Sequence, residues 1–373
     1  MKVIEIDTNN RSQVKTFLDL PFQIYRQVPQ WVPPLDFDAR RMLDRRRHPF
    51  YKHSQAAFFL AMRDDGYPLG RIAVLDNRNY NEHNREQTAF FYLFECEFDQ
   101  EAAQALFEAA FAWARGRGLK KIFGPKGFTA LDGMGLLVKG FEHRPALGIP
   151  YNCDYYPTML EAAGFEKGSD VLSGYLGNPT QFPEKIHEIA ELVQKRRGLH
   201  IARFHRRSDL KRLIPNLKEL YNASLGGTTG NAPITDDEVR LMADQILWFA
   251  DPSLIKVVMK EDRMVGFLLA YPDISAAIQR HKGRLFPFGW IDALLELRRT
   301  AVLNINGAGM IEGYRGVGGT AILFSELYKS ILDRKPQHIE VVQIGADNDR
   351  MLRELRDLGV NFYKVHRMYQ RAL

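Results

Sequence analysis

The chain of 373 residues contains only two cysteines, Cys96 and Cys153. Two thiols are too few for a disulfide framework or a structural zinc site. Both fit a reducing compartment, where a buried thiol acts as a small apolar filler. The histidines His205, His281 and His366 lack metal-ligand spacing, so no metal is expected. Also missing is any uninterrupted apolar run near the roughly 18 residues that span a bilayer. The opening MKVIEIDTNNRSQ alternates like a strand and has no apolar signal core. These absences predict a cytoplasmic protein without a membrane partner. Charge is in modest excess, 51 Lys and Arg against 45 Asp and Glu, giving a net +6. The basic residues are dispersed, and the densest run, RRMLDRRRHPFYKH, interleaves acids and aromatics. That pattern favours solvated faces or a small anionic ligand over a nucleic-acid partner.

What the chain does have is material for two cores. Its length exceeds the roughly 100–150 residues of one ordinary domain, and it carries 24 Phe and 15 Tyr. A repeat is visible. AAFFLAMRDDGYPLGRIAVLD and LIKVVMKEDRMVGFLLAYPD both read as β-hairpins, each with a glycine in its second strand, Gly70 and Gly266. Each half later has a helix ended by a glycine suited to a left-handed cap, Gly164 and Gly359. Gly70 precedes Gly164 by 94 positions and Gly266 precedes Gly359 by 93, which predicts a duplicated unit of about 195 residues. Between these landmarks each half reads strand–helix–strand. In the first, AFFYLFECEF leads to DQEAAQALFEAAFAWARGRG and KKIFGP, with Ala102, Leu106, Ala109, Ala110 and Trp113 on one helical stripe. In the second, TAVLNINGAGMIE leads to GTAILFSELYKSILD and HIEVVQIG. Each half is thus an antiparallel hairpin feeding a βαβ unit, an α/β arrangement with a mixed, mostly antiparallel sheet and helices on both faces. The predicted domains are 1–178, a linking helix at 179–198, and 199–373.

The most unusual stretch is IEGYRGVGGTAILFSELYK, in which four glycines precede a helix. A glycine-rich turn gathers unpaired backbone N–H groups at the positive helix end, where an anion can approach closely. No Gly-Lys-Ser/Thr or GxGxxG pattern is present. The same glycines would also suit a connection that serves only tight packing.

Tyr-Arg-Gly-Val-Gly-Gly-Thr-Ala, Tyr314 to Ala321, resembles the acyl-CoA pyrophosphate loop of the GNAT acyltransferases, Arg/Gln-x-x-Gly-x-Gly/Ala. Arg315 and Gly318 match, and Thr320 departs at the sixth position. The order of elements extends the resemblance over nearly the whole chain as two tandem GNAT folds. The phrases GIPYNCDYYPTMLEAAGF, YNASLGGTTGNAPIT and GRLFPFGW are similar to a group of bacterial two-domain GNAT-like proteins. The resemblance implies acetyl-CoA or another acyl-CoA as co-substrate. Backbone from Arg315, Gly316, Val317, Gly318, Gly319, Thr320 and Ala321 would hold the diphosphate. Met310 and Ile311 would pair with the pantetheine arm, and Asn348 would lie near the cofactor. The first half has ECEFDQEAA at the equivalent junction, acidic and without glycine, so one CoA site is expected, in the second half.

The catalytic groups are less apparent. The position where the family often has a tyrosine acid is Leu355, and Tyr363 and Tyr369 read as core. No glutamate occupies TAVLNINGAGM. Asn304 and Asn306 alternate onto one strand face, where they either line a cleft or bond internally. Asn222 begins YNASLGGTTGNAPIT, a candidate acceptor loop. The long connection ISAAIQRHKGRLFPFGWIDALLELRR offers His281, Arg284 and Trp290 as acceptor ligands in a cap over the cleft. The expected activity is acyl-CoA-dependent N-acyl transfer, with acetyl as the expected group, to an amine of a small molecule or peptide. The rivals are a non-catalytic CoA-binding or partner-binding protein and an aminoacyl-tRNA-dependent transferase.

Overall fold

The structure is a computed structural model that describes residues 1–129, 131–176, 183–225, 232–315, 318–332 and 334–373. In chain order the elements begin β1 (Lys2–Glu5), α1 (Arg11–Ile24), α2 (Asp36–Leu43), β2 (Gln55–Met62), β3 (Pro68–Asp76), α3 (Arg78–Asn84) and β4 (Thr88–Cys96). They continue with α4 (Gln100–Arg115), β5 (Lys121–Gly124), β6 (Leu136–Lys139), α5 (Tyr156–Ala162) and β7 (Glu166–Leu176). The second half holds α6 (Glu184–Arg197), β8 (Leu199–Ile201), α7 (Arg207–Leu210), α8 (Ile214–Leu225), α9 (Asp236–Leu247), β9 (Ile255–Lys260) and β10 (Arg263–Pro272). Last come α10 (Ser275–Arg280), α11 (Gly289–Arg299), β11 (Val302–Met310), α12 (Gly319–Leu332), β12 (His338–Gly345), α13 (Asp349–Asp357) and β13 (Asn361–Ala372).

Two compact units result. The first comprises 1–172, 275–293 and 364–373, and the second 173–274 and 294–363. The division therefore differs from the simple cuts at 178 and 199 expected from sequence. The segment 275–293 is fastened within the first unit: Gln279 Nε2 donates to the carbonyls of Pro29 and Trp31, and the Asp36 N–H donates to the Gly283 carbonyl. The expected linking helix is α6, whose Ala190 is buried in the core of the second unit.

In the first unit β1, β2, β3 and β4 form antiparallel neighbours, and β4 pairs parallel with β5 through Thr88–Lys121, Ala89–Ile122 and Phe90–Phe123. In the second, β8, β9, β10 and β11 are antiparallel and β11 pairs parallel with β12. The duplication extends to individual contacts. Gly70 pairs with Cys96 and Gly266 with Met310. A Cβ on Gly70 would lie 2.9 Å from Cys96 Sγ, and one on Gly266 would overlap Met310 Sδ. Each glycine thus makes room for a sulfur-bearing side chain at one place in the repeat. Each fourth strand also carries an irregularity in register, with Leu93 and Gly307 both at positive φ.

α4 buries a wider face than the expected stripe. Ala103, Phe107, Phe111 and Ala114 join Ala102, Leu106 and Ala110 in the core, whereas Trp113 is half-exposed beneath the Arg117 guanidinium. Phe107 and Phe111, on neighbouring turns of α4, stack in that core, and Phe94 of β4 stacks on Phe107.

The loop after β5 contains a buried acid and base. Burial pushes the Asp132 carboxyl from the ordinary 3.8 to about 6, although the Thr129 N–H donates to it, and pushes the Lys126 ammonium down to about 8. A carboxyl with a raised folded pKa adds stability that is full below 3.8 and is lost as pH rises through about 6. We expect Asp132→Asn to remove a decline on the order of 2–3 kcal/mol across that window. Urea unfolding at successive pH values measures it.

Candidate functional site

The glycine turn joins β11 to α12 in the second unit. β11 and β12 pair only from Val302–His338 to Ile305–Val341, while β11 runs on to Met310. The two strands therefore part company, and the edge of 306–310 turned away from β10 lacks β12 as a neighbour. The Ile311 N–H donates to the Val265 carbonyl, so the preceding Met310 presents its backbone on the opposite side, toward the parting. From the sequence, an extended amide chain is expected along this edge.

The other part of the expected site is the opening of α12. Its first N–H groups lack an intrahelical partner, as at every helix start, and the dipole favours an anion there. Gly319 is buried, and Thr320 and Ala321 are half-buried in the first turn. Gly316 and Val317, counted in the cradle from sequence, lie outside the described residues. Gly318 has φ +88°, and a Cβ there would sit 2.5 Å from Val193 Cγ2. Its missing side chain therefore serves packing against α6, the second of the two sequence readings of these glycines.

Arg315 has a structural partner set. Its Nε donates to the Met310 carbonyl at 2.8 Å and Nη2 to the Ser224 carbonyl at 2.5 Å. The guanidinium therefore ties the turn to the end of α8 and engages one of the two backbone groups of Met310. Arg315→Lys removes the fork that reaches both carbonyls. We expect about 1–2 kcal/mol of destabilisation, read as a lower urea midpoint. Asn348 caps α13 by accepting from the Met351 N–H at 3.1 Å.

The equivalent slot of the first unit is filled. The Cys96 N–H donates to Tyr156 Oη at 2.9 Å and the Cys96 carbonyl accepts from Tyr155 Oη at 2.8 Å. Behind it, half-buried Glu95 accepts from the Tyr25 and Tyr156 hydroxyls beside the buried Arg71. Burial raises the Glu95 carboxyl above its usual range, against the pull of Arg71.

On the other face of β11 a polar row leads to the parting. Asn304 is fully buried and donates to Asp273 at 2.6 Å, which removes it from any acceptor cleft. Asn306, half-buried, donates to the Tyr271 hydroxyl at 3.4 Å. Burial holds the Tyr271 phenol well above its ordinary value, so it keeps its proton. Asn222 accepts from the Ile234 N–H at 3.0 Å and so spans a loop whose residues 226–231 lie outside the described residues. An opening of about 400 Å³ beside Ile311, lined by Glu219, Leu220, Ala223, Lys260 and Arg263 among others, has the size of a ligand site.

Two residues missed in the sequence reading sit on β12. Glu340 is buried in register with Asn304 and accepts from the Tyr363 hydroxyl. His338 Nε2 lies 3.0 Å from Glu340 Oε2, and its ring, partly open to solvent, stacks on Tyr175. A histidine oriented by a buried carboxylate can relay a proton. The signal was available in HIEVVQIG, where His338 and Glu340 alternate with the core residues Ile339 and Val341. Tyr363, read as core, supplies its hydroxyl to this cluster.

The acceptor ligands expected in the long connection have other surroundings. His281 pairs with Asp292 at 3.2 Å, the Trp290 indole donates to the Pro287 carbonyl, and the Arg284 side chain is exposed. No group of residues with metal-binding composition occurs among the described residues. No helix among them is long and apolar enough to cross a membrane.

A tandem GNAT fold is what these two units define. A tandem GNAT protein from the clavulanic acid biosynthesis pathway aligns over 100% of this chain and 98% of its own, with a TM-score of 0.56 at 13% identity. A GCN5-related N-acetyltransferase from Sphaerobacter thermophilus aligns over 100% and 95%, with a TM-score of 0.51 at 12% identity. No protein-family model matches the sequence. Among curated proteins, the chain is similar to Protein YghO of Escherichia coli K12, 26% identical over 371 residues, 98% of this chain and 94% of that protein. It is equally similar to the bacterial ceramide synthase of Caulobacter vibrioides, 26% identical over 385 residues, 100% of this chain and 98% of that protein.

Proposed function

We propose that the protein is an acyl-CoA-dependent N-acyltransferase whose working site lies in the second unit. The observation that carries this reading is the parting of β11 from β12 after Ile305, with Met310 facing it and α12 opening directly beyond. Acyl-CoA would supply a thioester carbonyl for an amine to attack. The chain's own groups have separable tasks. The first turn of α12, Gly319 to Ala321, would hold the diphosphate, and the Met310 N–H would align the arm by main-chain pairing. Ile311, expected to share that task, has its N–H engaged by Val265 and its carbonyl by Tyr314. His338, oriented by Glu340, would accept the amine proton. The Tyr271 hydroxyl, kept protonated by burial, would offer a hydrogen bond rather than a transferable proton, and the leaving thiolate would take its proton from solvent.

Acetyl is the donor group expected from the loop alone. The full-length similarity to a ceramide synthase favours a further reading, since ceramide is a long-chain amino alcohol bearing an N-linked fatty acid. A lipid amine acceptor with a fatty acyl donor is the second reading. Turnover of acetyl-CoA and palmitoyl-CoA, each with a sphingoid base and with a panel of water-soluble amines, tests both. Thiol release with no donor and acceptor pair, despite CoA binding, would leave a binding protein.

A further inference from the structure

The connection 281–299 carries large apolar side chains that are exposed in the chain. Phe286 is 82% exposed, Phe288 69% and Trp290 44%, and Ile291, Leu294 and Leu295 are exposed on α11. Positions 290, 291, 294 and 295 fall on one helical stripe, and the two phenylalanines extend it through the preceding turn. The opposite side of α11 is engaged: Ala293 is buried, and Asp292 binds Arg280 and His281. Cations flank the apolar stripe, with exposed Lys282 and Arg284 before it and exposed Arg298 and Arg299 after it. The base is fixed, because Gln279 and Gly283 clip the segment to 29–36.

We propose that this face docks on the surface of an anionic lipid bilayer. Six large apolar side chains within ten residues would enter the headgroup boundary, with Phe286 and Phe288 at the tip and Trp290 at the interface. Lys282, Arg284, Arg298 and Arg299 would meet lipid phosphates around the rim. Of the two carboxylates on this helix, Asp292 is paired with Arg280 and His281 and Glu296 is half-buried, so the four exposed cations outnumber them at the rim. This amends the expectation of no membrane contact, which rested on the missing spanning segment. A surface helix needs no such segment. The inference stands apart from the identity of the acyl acceptor.

Flotation of the full-length protein with extruded vesicles tests it. Vesicles containing phosphatidylglycerol should carry the protein upward, pure phosphatidylcholine should carry much less, and added salt should weaken the binding. The double variant Phe286→Ser/Phe288→Ser should lower vesicle affinity more than about tenfold, and Arg298→Glu/Arg299→Glu by at least roughly fivefold per charge removed. Both alter exposed side chains, so unchanged thermal midpoints serve as the folding control. Trp290 fluorescence should shift to the blue with phosphatidylglycerol vesicles, and the shift should vanish in Trp290→Phe. Equal flotation of wild type and both double variants would overturn the proposal. So would a wild-type dimer in light scattering that becomes a monomer in Phe286→Ser/Phe288→Ser without vesicle binding, since a second copy would then cover the face.

Discussion

Thr320→Glu should weaken acyl-CoA binding roughly hundredfold while leaving the fold intact, because like charges placed together cost several kcal/mol. Thr320 is half-buried in the first turn of α12, where the diphosphate would rest. A carboxylate in a first helical turn stabilises the helix itself by about 0.3–1 kcal/mol. The two effects therefore have opposite signs, and a general loss of structure cannot imitate the result. Substitution at Gly318 would be a poorer test. Any side chain there meets Val193 and forces a strained backbone at φ +88°, so lost binding would have two causes. Calorimetric titration of wild type and Thr320→Glu with acetyl-CoA and palmitoyl-CoA, beside thermal unfolding, reads both effects.

His338→Ala should lower kcat by roughly 10²-fold, the range for loss of a general base, with little change in KM for acyl-CoA. The imidazole lies on β12, away from the opening of α12, so binding of the diphosphate does not involve it. Added imidazole should restore part of the rate, which a merely structural histidine would not allow. Glu340→Gln acts through His338 and Tyr363 as a change at a positioning residue. It should lower kcat less than His338→Ala does and should not respond to imidazole. Equal rates in wild type and His338→Ala would remove the cluster from the mechanism.

The sequence made the local features legible and left the long-range ones hidden. The hairpins, the glycine pair at 70 and 266, and the strand–helix–strand units follow from periodicity and turn chemistry, which act over a few residues. The attachment of 275–293 to the first unit depends on Gln279 meeting Pro29, a pairing 250 positions apart, and no local pattern announces it. For His281, Arg284 and Trp290 the sequence offers suitable chemistry, while their position depends on that distant attachment. Asn304 was ambiguous for a different reason. An asparagine on a central strand needs a partner, and the sequence does not say whether Asp273 or a ligand supplies it. The His338 and Glu340 pair could have been found by reading alternation on β12 as closely as on β11. Arg315 was visible as part of the loop, but its two carbonyl partners were not, since Ser224 lies 91 positions away.

Hydrogen–deuterium exchange with and without acyl-CoA tests the central claim most directly. The account predicts protection in peptides covering 306–322, where β11 ends and α12 begins, and unchanged exchange in 92–100, where Tyr155 and Tyr156 occupy the corresponding slot. Protection of 92–100 with none at 306–322 would contradict it, and would move the acyl donor to the first unit.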